Sequence, residues 1–119
     1  MYEITQALFD FWNSFGIDAY SEDDPRLADS DIPRLVYRIQ NGETFSQMPD
    51  YVNMYYSNRQ RALAVQKADE IRERIGGGIT LRLASGGNIV IHQIAWQMRT
   101  DTADTIALYG SFSVDYNLL

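Results

Sequence analysis

A chain of 119 residues, 45% hydrophobic and 22% charged, has the bulk for one globular domain, residues 1–119, and no room for a second. Sixteen acidic residues against ten basic ones give a net charge of -6. That balance speaks against a dedicated DNA- or RNA-binding module, which needs a basic face to neutralise phosphates, but it suits a protein past which nucleic acid slides without sticking.

Ile4, Ala7, Leu8, Phe11, Trp12 and Phe15 recur at helical spacing and predict an amphipathic helix that Gly16 stops. Residues Ser21 to Pro33 read as an acidic, proline-bracketed loop. Arg34 to Ile39 alternates as a strand, and a second strand is predicted over Tyr51–Ser57. Between them the connection from Asn41 to Pro49 is too long for a tight hairpin, and it carries Phe45 and Met48, which a solvated loop would not need. Ser57-Asn58 caps a predicted second helix running to about Ile75, with Ala64, Ala68, Ile71 and Ile75 as its inner stripe and Gly76-Gly77-Gly78 as its end. Three further strands are predicted: Ile79–Leu83, roughly Asn88–Met98, and Ile106–Asn117. In the last, Ile106, Leu108, Phe112 and Val114 are expected to face the helices, with Ser111, Ser113 and Asp115 facing away. The expected fold is α+β, in the order α-β-β-α-β-β-β. It is a five-stranded antiparallel sheet, with a mixed edge allowed, and two helices pack on one face.

The chemistry-bearing residues are few. With no cysteine there are no disulfides, thiolate metal sites or cysteine nucleophiles. The single histidine, His92, excludes a two-histidine metal centre; as a general base it would want a carboxylate or a nucleophile nearby, for which Asp101, Asp104 and Ser111 are candidates, and a histidine on the exposed face of the sheet is the expectation. Glu22, Asp23, Asp24, Asp29 and Asp31 gather five carboxylates, but the spacing matches no EF-hand, and a solvated acidic loop is the expectation. The glycine clusters run from helix to strand or within a hairpin, the reverse of a phosphate cradle. No catalytic, cofactor-binding or metal site is expected. No apolar run reaches the length of a membrane span and MYEITQ lacks an h-region, so a soluble, unexported chain is expected. What is left over is a recognition surface: Phe45, Met48, Tyr55, Trp96, Gln97, Asp101, Asp104 and Tyr109 supply apolar and aromatic groups beyond the needs of the core, rimmed by acids.

Ile75-Gly-Gly-Gly-Ile-Thr-Leu, Ser85-Gly-Gly-Asn-Ile-Val-Ile-His-Gln, Ala95-Trp-Gln-Met-Arg-Thr-Asp, Thr105-Ile-Ala-Leu-Tyr and Ser113-Val-Asp-Tyr resemble small siphophage and prophage tail proteins of the tail-terminator and minor tail (tail-completion) type. Ile4-Thr-Gln-Ala-Leu-Phe-Asp-Phe-Trp-Asn-Ser-Phe-Gly and Pro33-Arg-Leu-Val-Tyr-Arg-Ile are similar in the same way, whereas Gln40 to Tyr51 departs from the pattern. The resemblance implies an α+β protomer that closes into a ring, of six, at the head-proximal end of a tail tube. It would meet the tube and the head-completion proteins, with DNA passing through and not specifically bound. It implies a place in the virion tail, reached by assembly in the bacterial cytoplasm, and no enzyme activity or cofactor. A head-completion connector is the nearest rival, a small ligand-binding or regulatory domain is the rival from another class, and an enzyme using His92 and an aspartate comes last.

Overall fold

A computed structural model of the chain describes residues 2–39 and 45–118. The apolar stripe near the N-terminus forms helix α1, Tyr2–Asn13, which buries Ile4, Leu8, Phe11 and Trp12. Gly16, at a φ of 77°, turns the chain into strand β1, Asp18–Ser21. A short 3-10 turn, Pro25–Asp29, is capped by Asp24, whose carboxylate accepts the Arg26 N–H. Strands β2, Arg34–Tyr37, and β3, Phe45–Ser57, follow. The Ser57 hydroxyl then accepts the Arg59 N–H at the head of a second 3-10 turn, Asn58–Gln60, which leads into helix α2, Arg61–Ile75. Gly76 ends α2 at a φ of 57°, its N–H donating to the Arg72 carbonyl. Strands β4, Gly78–Arg82, β5, Asn88–His92, β6, Ala95–Thr100, and β7, Thr105–Asn117, complete the fold.

The five-stranded expectation is overturned. The sheet has seven strands in the order β1-β2-β3-β7-β5-β4, with β6 also paired to β7, and it curls into a half-barrel. Every pairing is antiparallel except β1 with β2. The two additional strands have clear physical origins. β1 is four residues long and lies parallel to β2, held by the turn that follows it, so no alternation long enough to read marks it. The stretch expected as one strand over Asn88–Met98 is two, because one extra residue is inserted opposite β7: Ile91 pairs with Val114 but Ala95 pairs with Ser111. That insertion flips the inward parity, from Ile89 and Ile91 to Ile94 and Trp96. The expected Asn41–Pro49 connection is also shorter than expected: β3 already pairs with β7 from Phe45, through an irregularity between Phe45 and Met48. The side chain of Phe45 and residues Asn41 and Gly42 lie outside the described residues.

Both helices bury their stripes in one core on the concave face of the sheet. Ile4, Leu8, Phe11 and Trp12 of α1 and Ala64, Ala68, Ile71 and Ile75 of α2 share it with Leu35, Val52, Met54, Ile91, Ile106, Leu108 and Val114. The alternation of β7 is as the sequence reads, with Ile106, Leu108, Val114 and Tyr116 buried. Phe112 shares that face but is only partly buried, its ring 5.9 Å from that of Trp12. Phe112→Ala is therefore expected to destabilise by about 2 kcal/mol, below the range for fully buried aromatics, as urea unfolding would measure. A variant with the parent's midpoint would place Phe112 outside the packed face.

The lateral edges of the sheet differ. On β1, the Asn13 side-chain amide donates to the Ala19 carbonyl and accepts the Ala19 N–H, at 3.2 and 3.1 Å, and so occupies the outward backbone groups of that strand. β6 has no such cover: β7 is its one strand partner, and its far edge carries no hydrogen bond among the described residues. Among the described residues, no helix is long and apolar enough to cross a membrane.

Candidate functional site

Among the described residues, the convex face of the sheet carries no α-helix. Across it, pairing register brings together residues that stand far apart in the chain. Arg34 faces Tyr55 across β2–β3, Asn53 and Gln97 flank Tyr109 from β3 and β6, and Tyr51 and Arg99 reach Tyr109 along the two diagonals. The result is a band: the Arg38 guanidinium lies 4.6 Å over the Tyr51 ring, Tyr51 stacks on Tyr109 at 5.7 Å, and Arg99 lies 4.6 Å over Tyr109. A parallel pair, Arg34 over Tyr55 at 5.0 Å, sits beside it. Each such contact contributes of order 0.5–1 kcal/mol when exposed and more when desolvated. These contacts hold the rings and guanidiniums of the band against one another.

Its ends are anchored by polar contacts. Arg38 donates to the Asp50 carboxylate at 3.1 Å and to the Pro49 carbonyl at 2.9 Å. Asp50 is buried, and it also accepts the Tyr51 N–H. The Tyr51 hydroxyl donates to Glu22 of the acidic loop at 3.1 Å. Burial first, and the Glu22 hydrogen bond second, push the Tyr51 phenol up from its ordinary value. Burial, with Asp101 adding to it, does the same for Tyr55. Both phenols stay protonated at neutral pH, so they stack and donate rather than act as bases.

The residues singled out from sequence separate into two groups. Tyr55, Gln97 and Tyr109 come together on the convex face, and Asp101 lies close enough to Tyr55 to shift its phenol. Asp101 and Asp104 belong to the turn between β6 and β7, where the Asp101 N–H donates to Thr105 and the Asp104 carbonyl accepts the Asn58 N–H. Met48 and Trp96 point the other way. Met48 packs against the core opposite Val114, so Met48→Asp would report on stability and not on a surface. Trp96 lines a concave-side groove of about 460 Å³ between α2 and β6, with Val65, Ala68, Met98 and Leu108. Its indole N–H is shielded from solvent and has no hydrogen-bond partner among the described residues. Sequence reading missed Arg34, Arg38, Tyr51 and Arg99. The signal was polar residues alternating on the outward side of apolar strands, Arg34 and Arg38 about Leu35 and Tyr37, and Gln97 and Arg99 about Met98, but it has no meaning until strands are paired.

Of the remaining candidates, His92 and Asp24 have side-chain partners, while Asp23, Asp29 and Asp31 have no cationic partner among the described residues. His92 does meet a carboxylate, that of Asp115, through Nε2 at 2.7 Å, and not one of the three groups proposed from the sequence. In the acidic loop, the Arg26 guanidinium bonded to Asp24 holds that carboxyl below its usual value. Among the described residues no three potential metal ligands converge. A second cleft, about 370 Å³, is lined by Pro33, Tyr56, Leu63, Gln66, Lys67 and Glu70. Its ammonium is already held by the Phe15 carbonyl and the Glu70 carboxylate, so it offers a ligand little unspent charge. No family model matches the chain, and no curated protein matches it.

Proposed function

We propose that the chain is a non-enzymatic structural protein of a phage or prophage tail. In this reading it is a terminator-like subunit whose copies close into a ring of six on the tail tube, stop its growth and dock to head-completion proteins. The observation that carries this reading is the bare convex face with its Arg38-Tyr51-Tyr109-Arg99 band. Tyrosine and arginine are the residue types that protein interfaces favour, and rings already stacked lose little freedom on binding. The sequence resemblance supplies the identity of the assembly, and the acidic net charge suits a channel that DNA crosses without being held. The protein would work in the virion tail after assembly in the bacterial cytoplasm, with no cofactor.

Isolated copies are expected to be monomeric when dilute and to associate as concentration and salt rise, because closing a ring crowds like-charged protomers and salt screens that long-range repulsion. Sedimentation velocity on the parent and on Tyr51→Ala/Tyr109→Ala is the test. Truncating both rings is expected to weaken association about tenfold or more, in keeping with loss of interface anchors. Negative-stain images of tube-bound protein should show six-fold rings. A tight two-fold dimer, indifferent to salt and to both substitutions, would overturn the ring reading and favour the ligand-binding alternative.

A further inference from the structure

We propose that neighbouring copies meet head to tail, the acidic loop of one docking on the β6 edge and the α2–β6 groove of the next. This rests on the ring reading above: the convex band runs from Tyr51, bonded to Glu22 of the acidic loop, to Arg99 of β6, and the two surfaces that close the ring stand at its ends. Among the described residues, charge is unevenly placed across the sheet, with unpaired acids in the loop after β1 and unpaired arginines in and beside β6, where Asp101 and Asp104 of the β6–β7 turn also lie. At the β1 end, Asp23, Asp29 and Asp31 have no cationic partner among the described residues, while Asp24 is held by Arg26. At the β6 end, Arg59, Arg61 and Arg99 have no carboxylate partner among the described residues, while Arg72 is held by Asp69. Arg61 rests on the Met98 sulfur and the Asn58 amide, and Arg99 on the Gln97 amide.

Apolar groups match as well. Val65 and Met98, 42% and 36% exposed, flank Trp96 in the groove, and Ile32, 36% exposed, stands beside the acidic loop with the half-buried Leu27. An apolar centre inside a charged rim is the usual anatomy of a specific interface. The loop and the groove of one copy cannot reach each other, since β1 and β6 stand four strand spacings apart, about 19 Å along the sheet. Their contact must therefore join two copies through unlike surfaces, and such a heterologous contact propagates into a ring when its rotation closes. The edge states agree: Asn13 seals β1, leaving the loop as the presenting element, while the β6 edge has backbone groups to offer it. Pairs desolvated in that contact are screened by salt far less than the long-range repulsion between copies.

Charge reversal with mixing tests this. One variant carries Asp23→Lys, Asp29→Lys and Asp31→Lys, the other Arg61→Glu and Arg99→Glu, and all five positions are at the surface, so both should melt near the parent. Each alone is expected to associate about a hundredfold more weakly than the parent by sedimentation velocity, because like charges then face across the contact. An equimolar mixture should regain association, since acids of one variant meet arginines of the other at one contact and lysines meet glutamates at the next. Regained assembly also shows that both variants are folded. If each variant associates like the parent, or the mixture stays apart, the docking assignment falls while the ring reading stands. If the parent itself never associates, in solution at high concentration or on tube ends, the ring reading falls and takes this inference with it.

Discussion

Trp12→Ala is expected to lower the melting temperature by about 15 °C, from a loss of roughly 4 kcal/mol at about 4 °C per kcal/mol for a domain of this size. Trp12 is 1% exposed and sits where α1 meets the sheet. Its ring touches Phe11 edge-on at 4.8 Å, stacks near Tyr37 at 6.4 Å, and lies 6.3 and 5.9 Å from Phe15 and Phe112. Truncation removes the indole and leaves a cavity bounded by four aromatic rings that have no common direction in which to collapse, so both the transfer and the cavity contributions are lost. Against a total stability of about 5–15 kcal/mol, that is a large fraction. Trp12→Phe keeps much of the volume and should cost less than half as much. Calorimetric or circular-dichroism melts decide it. If the alanine variant melts like the parent, α1 does not pack as described.

Trp12 also shows what the sequence makes legible. A helix stripe and a long alternating strand are local patterns, so α1, α2 and β7 are readable from spacing alone. Pairing is not local. Pro49 reads as a strand breaker, yet it sits within β3 opposite Ser113, next to the irregular start of that strand, which is why the strand looked shorter. The bulge between β5 and β6 was written in the sequence all the same: Ile89 and Ile91 are odd-numbered, Ile94, Trp96 and Met98 even-numbered, and one inserted residue is the simplest way to bury both sets. The candidate site was half legible for the same reason. Tyr55, Gln97 and Tyr109 stood out as surplus polar-aromatic groups, but the arginines that lie over the rings belong to other strands, and no spacing rule connects Arg38 with Tyr51 or Arg34 with Tyr55. Trp96 was singled out for its size. Only the parity flip reveals that it faces the groove beside α2 and not the convex band.

Gly110→Val is expected to destabilise by about 3 kcal/mol, and the loss should nearly vanish when Trp96 is alanine. Gly110 stands opposite Trp96 in the register and opposite Val52 on its other side, buried on the concave face. A Cβ there would lie 2.7 Å from the Ile94 Cδ1 and 2.9 Å from the Trp96 Cζ3, closer than side-chain carbons approach. Ile94 is 2% exposed and the indole is rigid, so neither moves aside without disturbing α2 or the groove. Two effects oppose the clash: valine suits a strand, by up to about 1 kcal/mol, and removing a glycine restricts the unfolded chain by about 0.4–1 kcal/mol. Overpacking by three carbons in a filled core, at the upper end of about 1–3 kcal/mol or beyond, outweighs them. Trp96→Ala removes the indole clash and also vacates space into which the Ile94 Cδ1, the far end of a flexible side chain, rotates away, leaving those two favourable contributions to offset the strain. Urea unfolding of the four proteins in the cycle gives the coupling, expected at about 2–3 kcal/mol. Equal costs in both backgrounds would show that Trp96 does not fill the space over Gly110. A full coupling fixes the indole on the concave side, beside α2 and away from the convex band.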